Sequence, residues 1–162
     1  MSASRKRYER TGKYLYKIIR PVWRIVARNR PRCRVLLIDG TRVLLVRNWL
    51  GSQRWRLPGG GRKSHETPGQ AVLRELDEEL NLKLSEDQLQ FMGSKSIKDT
   101  SAQILAEFFV VDASGLTPKL NPREIIEMQW FELDELPETY SPVVDYAIGL
   151  YRDRTSNHGH KT

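Results

Sequence analysis

Residues 60–82 read GGRKSHETPGQAVLRELDEELNL. Within this stretch a helix begins at TPGQ, because Thr67 is a good N-cap residue, Pro68 suits the first helical position and Gln70 completes a capping box. Apolar residues then recur at helical spacing as far as Leu80. The sequence therefore predicts a helix over residues 68–80, preceded by a glycine-containing loop.

The predicted helix carries three glutamates, Glu75, Glu78 and Glu79. At about 100° per residue they fall within about a third of the helix circumference, beside the apolar stripe. Grouped carboxylates repel one another, and Mg²⁺ or Mn²⁺ relieves that repulsion because hard cations prefer oxygen ligands. Glycines 59–61 allow the backbone to approach a phosphate and to offer a carbonyl to the metal. A glutamate-rich helix is also typical of a plain solvated face, but the glycines and Glu66 at fixed distances favour a site for metal and phosphate.

These residues resemble the signature of the Nudix hydrolase family: Gly, five residues, Glu, seven residues, then Arg-Glu-aliphatic-x-Glu-Glu-x-Gly-aliphatic. The surrounding stretches 42–47, 55–60 and 130–137 are also similar, so the resemblance covers about residues 33–152. Asn81 replaces the last glycine of the signature. We expect a small stability cost there and no loss of chemistry, because asparagine tolerates the left-handed conformation. The chain matches the other signature positions with Gly60, Glu66, Arg74, Glu75, Leu76, Glu78, Glu79 and Leu82.

The resemblance implies an α/β protein, an α/β/α sandwich on a mixed sheet. It also implies metal-dependent hydrolysis of the pyrophosphate bond in a nucleoside diphosphate linked to another group. Glu75 and Glu79 would be the principal ligands of Mg²⁺ or Mn²⁺, with Glu78 assisting. Further roles carried over by position are the Gly59 carbonyl as a metal ligand, Arg74 as the group that orients Glu75, and Gly60, Gly61 and Glu66 at the phosphates.

The group that orients or deprotonates the attacking water would be Glu75 or an acid outside the signature. In relatives that acid precedes the tryptophan of the last strand, which makes Glu124 the first choice and Glu127 the second. Trp49, Trp55 and Phe109 could stack a base, although core or rim positions are more typical of such residues.

The rest of the chain predicts strands and one more helix. Asp39-Gly40 is a strong hairpin signal between two apolar runs. Residues 112–123 contain a glycine and two prolines and are typical of a loop. Strands are predicted near residues 35–38, 43–46, 55–57, 90–97, 104–111 and 125–131, a helical turn at 134–136 and a last helix at 142–152.

Charge divides the chain into three predicted regions: a basic arm (1–32), a Nudix hydrolase domain (33–154) and a disordered tail (155–162). Residues 1–34 hold twelve Lys or Arg and one acid, whereas the other 128 residues hold fifteen bases and nineteen acids. The arm is predicted to form an amphipathic helix, with Leu15, Ile18 and Val22 on one face. Basic leaders of this kind precede similar bacterial Nudix domains. The arm could contact RNA or an anionic membrane, support a homodimer, or simply pack on the domain as a solvated helix.

The expected location is cytoplasmic, peripheral to a membrane if the arm binds lipid. The signature indicates which bond is cleaved, but the substrate stays open among oxidised nucleotides, ordinary nucleoside triphosphates, nucleotide sugars and RNA 5′ ends. The rival hypothesis is a Nudix-fold binding module that has lost catalysis. Such modules usually lack a signature carboxylate, and all are present in this sequence.

Overall fold

The computed structural model describes residues 30–49, 53–99 and 102–158. These residues form five strands and two α-helices: β1 (Arg32–Asp39), β2 (Arg42–Asn48), α1 (Pro68–Leu80), β3 (Gln90–Asp99), β4 (Ala102–Asp112), β5 (Ile125–Glu132) and α2 (Val143–His158). The predicted basic arm lies outside the described residues, apart from its last ones. Arg32 and Arg34, counted with the basic segment in the sequence, belong to β1.

The five strands form one mixed sheet in the order β3-β4-β1-β2-β5. The β1–β4 pair is parallel and the other three pairs are antiparallel. Gly40 turns the β1–β2 hairpin with a φ of 62°, as the Asp39-Gly40 signal predicted. Beyond this turn the two strands separate.

The chain segment 55–62 fills the gap between β1 and β2. The Cys33 N–H donates to the Gly60 carbonyl (2.9 Å), and the Val46 N–H donates to the Arg56 carbonyl (2.9 Å). The segment thereby satisfies backbone groups on both strands, and it holds the glycine loop at the N-terminal end of β1.

Both faces of the sheet are covered, which confirms the predicted α/β/α sandwich. Helix α1 packs on one face, where Leu37, Leu44 and Leu76 are fully buried. Helix α2 packs on the other, where Phe108 and Val144 are fully buried. Among the described residues, no helix is long and apolar enough to cross a membrane.

The structure differs from the sequence prediction in four places. Residues 55–57 were predicted as a strand, but they form only isolated bridges. Residues 134–136 were predicted as a helical turn, but they form a non-helical turn. A short 3-10 helix over Glu86–Gln88 was not predicted. The predicted disordered tail begins too early, because α2 continues through residues 155–158. Arg154 donates to the Phe91 carbonyl of β3 (2.9 Å), which anchors this end of the helix to the sheet.

Candidate active site

The glycine loop lies against both the sheet and α1. Gly59 has a φ of +116°, and a Cβ at this position would overlap the carbonyl oxygen of Cys33. A Cβ at Gly60 would lie 2.5 Å from the Glu75 Oε1 atom. The backbone clash at Gly59 admits only glycine, and the missing side chain at Gly60 brings bare backbone next to the helix carboxylates.

The helix that carries the carboxylates begins and ends as the sequence predicts. Thr67 is the N-cap, its hydroxyl accepts from the Gln70 N–H (3.1 Å), and Gln70 completes the capping box. Asn81 ends the helix in the left-handed conformation, with φ 52° and ψ 33°. The capped helix positions Glu78 and Glu79 about one turn after Glu75, beside the loop.

Glu79 is the most deeply buried of these acids, with a side chain 3% exposed. Its Oε2 accepts from the Gly59 N–H (2.9 Å) and its Oε1 accepts from the Asn48 amide (3.1 Å). Burial raises the pKa of Glu79, and the positive charge of Arg56 opposes this rise more than any other group. A carboxylate held at this depth keeps little solvation of its own.

Arg74 joins the loop to the other carboxylates. It donates to both oxygens of Glu66 (2.6 and 3.1 Å), to Glu75 Oε1 (2.7 Å) and to Glu78 Oε2 (2.9 Å). It also donates to the Gly61 carbonyl (3.0 Å). The hydrogen bond from Arg74 lowers the pKa of Glu66 to about 2. Arg74 therefore fixes Glu75 beside Gly60, while Glu66 is placed to hold Arg74.

Glu75 and Glu79 are close enough to affect each other's ionisation. Burial raises the pKa of Glu75, the hydrogen bond from Arg74 opposes this rise, and the charge of Glu79 adds to it. The side chain of Glu75 is 12% exposed, whereas that of Glu78 is 43% exposed. The two buried carboxylates, Glu75 and Glu79, therefore lie close together inside the site, and Glu78 lies at its rim.

The loop after β4 brings Glu124 to this site. Asn121 in that loop donates from its amide to the Glu78 carbonyl (2.7 Å) and from its backbone to the Glu79 carbonyl (2.9 Å). Burial raises the pKa of Glu124, and the charges of Glu78 and Glu75 raise it further. Glu124 therefore lies near enough to Glu78 and Glu75 for their charges to act on it.

Glu127, the second choice from the sequence, lies on the other face of the sheet. It pairs with Arg47 (3.4 Å), whose guanidinium lies 5.3 Å above the Trp55 ring in the core under α2. The register of β2 and β5 shifts at residues 47 and 48. Strand alternation at this bulge turns Glu127 away from the glycine loop.

The Gly59 carbonyl has a partner that the sequence did not suggest. Arg34, a buried residue of β1, donates from its guanidinium to this oxygen. An ion bound to the same oxygen would lie close to a positive charge. The use of this carbonyl as a metal ligand therefore stays a prediction.

The acids of the site suit a divalent cation by their chemistry. Within residues 30–49, 53–99 and 102–158, no three His, Cys, Asp or Glu side chains are grouped closely enough to hold an ion. The carboxylates instead accept hydrogen bonds from the protein. Glu79 accepts from the Gly59 N–H and the Asn48 amide, and Glu75 and Glu78 accept from the shared Arg74 guanidinium. Their mutual repulsion remains, since Glu79 and Glu78 both raise the pKa of Glu75. Oxygen donors with excess negative charge are the ligands that Mg²⁺ and Mn²⁺ prefer.

Comparison with known proteins connects this geometry to a family. The model of the NUDIX domain matches residues 28–148. The chain belongs to the Nudix family. A solved structure of the MutT NUDIX hydrolase from Burkholderia pseudomallei matches with a TM-score of 0.67 at 24% identity, over 75% of this chain and 97% of that one. This likeness supports the shared fold.

Two curated relatives match parts of this Nudix chain. The RNA pyrophosphohydrolase of Teredinibacter turnerae is 46% identical over 55 residues, which is 33% of this chain and 32% of that protein. A Mycobacterium tuberculosis protein named as a candidate 8-oxo-dGTP diphosphatase is 34% identical over 110 residues, which is 62% of this chain and 49% of that protein. The chain thus spans about a third and about a half of these relatives.

Sequence reasoning missed three residues that contact the predicted site: Arg34, Asn48 and Arg56. Arg56 lies between Trp55 and Gly60, in a stretch that resembles the family. Its place in that stretch could have identified it as a site residue. Asn48 gave only the weaker signal of a polar residue at the end of an apolar strand. Trp55 and Phe109, considered for base stacking, are core residues.

Proposed function

We propose that this Nudix chain is a divalent-metal-dependent hydrolase that cleaves the pyrophosphate bond of a nucleoside diphosphate linked to another group. The observation that carries the proposal is the burial of two carboxylates, Glu75 and Glu79, against a loop of bare glycine backbone. Buried like charges are costly unless a cation offsets them. A glycine loop beside such a cation gives a diphosphate room to approach.

Each residue then has a role that follows from its contacts. Glu75 and Glu79 would hold Mg²⁺ or Mn²⁺, with Glu78 assisting from the rim. When bound, the ion supplies neutralisation of phosphate charge and a lower pKa for attacking water. Arg74 orients Glu75, and Glu66 keeps Arg74 in place. Glu66 therefore serves the phosphate site through Arg74, while Gly60 and Gly61 provide the surface on which the phosphates lie.

Glu124 is the proposed general base. A base works best when its pKa lies near the working pH, and the pKa of Glu124 is raised by burial and by the charges of Glu78 and Glu75. A water activated by Glu124 would attack the phosphorus of a phosphate held at the glycine loop.

The substrate is proposed only as a class. The names of the two relatives point to RNA and to an oxidised purine nucleotide, 8-oxo-dGTP. Nucleotide sugars and ordinary nucleoside triphosphates belong to the same class, since each contains a pyrophosphate bond next to a nucleoside. RNA 5′ ends and purine triphosphates are the first to test.

A nucleotide panel tests the proposal. The full chain is incubated with 5′-triphosphorylated RNA, 8-oxo-dGTP, dGTP, ADP-ribose and a UDP-sugar, each with Mg²⁺ or Mn²⁺, and products are separated by anion exchange. A Glu79→Gln protein purified in the same way controls for contaminating phosphatases. We expect metal-dependent release of pyrophosphate or a nucleoside monophosphate from at least one member. Binding without product from any member would favour the non-catalytic binding module.

A further inference from the structure

Two polar side chains lie in line behind Glu79. The Arg56 Nε donates to the Asn48 Oδ1 (2.7 Å), and the Asn48 Nδ2 donates to the Glu79 Oε1 (3.1 Å). An Arg56 terminal nitrogen lies 4.0 Å from the same Glu79 oxygen. The three side chains therefore form a hydrogen-bonded series that ends at the most buried carboxylate of the site.

This series can run in one direction only. A carboxamide presents an acceptor on one side and a donor on the other. If the Asn48 amide were flipped, its oxygen would face the Glu79 carboxylate and its NH₂ group would face the guanidinium, so both contacts would be repulsive. Arg56 therefore fixes the orientation of Asn48, and Asn48 fixes one oxygen of Glu79.

Backbone pairing fixes both residues of the series at β2: Asn48 is the last residue of that strand, and Arg56 pairs with the same strand. Arg56 and Val46 exchange two backbone hydrogen bonds, of 2.9 and 3.0 Å, so Arg56 cannot shift without breaking this pair. Asn48 pairs with Ile125 where the register of β2 and β5 shifts. Such a bulge re-aims the side chains around it, and here Asn48 faces α1 while Arg47 faces the opposite side.

Glu79 is held at both oxygens but retains capacity for a further ligand. Its Oε2 accepts from the Gly59 N–H and its Oε1 from Asn48. Each carboxylate oxygen has a second lone pair. Two donors of this kind restrict rotation of the carboxylate and leave it able to bind a cation.

We infer that Asn48 and Arg56 are positioning residues that hold the Glu79 carboxylate ready for the divalent ion. The inference rests on the proposed function, which makes Glu79 a metal ligand. Groups that orient a metal ligand typically change metal affinity by about 10–100-fold when they are removed. We therefore expect ion affinity to fall in that range when either residue loses its hydrogen bond.

Mn²⁺ binding to the full chain, without nucleotide, tests the inference directly. Free Mn²⁺ is measured by electron paramagnetic resonance during titration of the wild type, Asn48→Leu, Arg56→Met and the double variant. Arg47→Met is the matched control, because it removes an arginine next to Asn48 that faces the other side of the sheet. Thermal unfolding in a chelator shows whether each variant is folded.

The hydrogen-bonded series predicts the Mn²⁺ affinity of the double variant relative to the single variants. Because Arg56 orients Asn48 as well as lying 4.0 Å from the Glu79 Oε1 atom, the loss of Mn²⁺ affinity in the double variant should be smaller than the sum of the two single losses. Arg47→Met should bind like the wild type. Unchanged affinity in folded Asn48→Leu, or losses that add in the double variant, would overturn the inference.

Two outcomes distinguish this inference from the proposed function. If the wild type binds Mn²⁺ but hydrolyses nothing, while Asn48→Leu and Arg56→Met bind weakly, the proposed activity fails and the positioning role stands. If the wild type hydrolyses a nucleotide and both variants bind Mn²⁺ normally, the activity stands and the positioning role fails.

Discussion

The burial of the Glu79 carboxylate is the main unfavourable interaction of the site. It is 3% exposed, and its two hydrogen bonds and the nearby Arg56 offset only part of the cost of burying a carboxylate. A leucine here would pack against the same core without that cost. The acid is thus destabilising in the metal-free fold, which is the behaviour expected of a residue retained for chemistry.

Replacing Glu79 should separate activity from stability. We expect Glu79→Gln to lower turnover at saturating Mg²⁺ by at least about 100-fold, the upper end of the loss seen for groups one step further from a metal. The pKa of Glu79 is raised in the folded state, so its stabilising contribution is complete below its ordinary pKa of 4.5 and is lost as pH rises through the folded value. Near neutrality the neutral glutamine avoids this loss.

The corresponding measurements are turnover on the best panel substrate and thermal unfolding in a chelator. The melting temperature of Glu79→Gln should stay within a few degrees of that of the wild type, because the gain from removing a buried charge is offset by the glutamine NH₂ group, which must face either the Gly59 N–H or the Asn48 amide. Asp77→Asn, an exposed change on the same helix, should leave both quantities unaltered. Full turnover by Glu79→Gln would remove Glu79 from the metal assignment.

At the scale of elements, local sequence predicted what local interactions determine. The cap at Thr67, the end of α1 at Leu80 and the turn at Gly40 follow from residues that contact near neighbours. The insertion of residues 55–62 between β1 and β2 did not follow, because it depends on backbone groups far away in the chain. The same reason applies to the contact of Arg34 with Gly59 and to the turning of Glu127 at a bulge.

Substitutions of Asn81 test how much the departure from the family signature affects the stability of the protein at the end of α1. It adopts φ 52°, and its amide donates to the Lys119 carbonyl (2.7 Å). Asn81→Gly relieves backbone strain but removes this hydrogen bond, so we expect a change within about 1 kcal/mol. Asn81→Ala loses the hydrogen bond and keeps the strain, and should cost about 1–2 kcal/mol. Urea denaturation of both variants would show this order, and equal stability of the alanine variant and the wild type would contradict it.

The ion pair between Glu66 and Arg74 fastens the glycine loop to α1. Because Arg74 lowers the pKa of Glu66 to about 2, the pair stabilises the fold above the ordinary pKa of 4.5 and loses this effect as pH falls toward 2. We expect Glu66→Gln to have a lower urea midpoint than the wild type near neutrality, with the difference shrinking in acid. Asp87→Asn, a change of an exposed acid outside the loop, controls for the loss of one negative charge. A difference that grows in acid would refute this role.

At the scale of the whole molecule, charge is unevenly distributed. Residues 1–34 hold twelve Lys or Arg, and two of these, Arg32 and Arg34, lie in β1, which leaves ten in the segment before it. Residues 35–162 hold fifteen bases and nineteen acids. A basic segment joined to a mildly acidic domain favours contact with an anionic surface, because that surface attracts the segment without attracting the domain.

We propose that the basic arm binds an anionic surface, either phosphatidylserine membranes or RNA. Each Lys or Arg near an anionic membrane contributes about 1 kcal/mol, and salt screens the attraction. A variant with Lys13, Lys17, Arg20, Arg24 and Arg28 changed to Gln should therefore lose salt-sensitive sedimentation with phosphatidylserine vesicles. If RNA is the partner, the variant should instead lose affinity for RNA while its rate on a free nucleotide is unchanged.

Light scattering of the same variant tests whether the arm also supports a homodimer, since a shift to monomer would show that it does. Neutral phosphatidylcholine vesicles are the matched control for the lipid assay, because they offer the same apolar surface without the charge. The five substituted residues are not among the candidate site residues, so hydrolysis of a small nucleotide reports whether the variant is folded. Identical behaviour of variant and wild type in every assay would contradict the proposal.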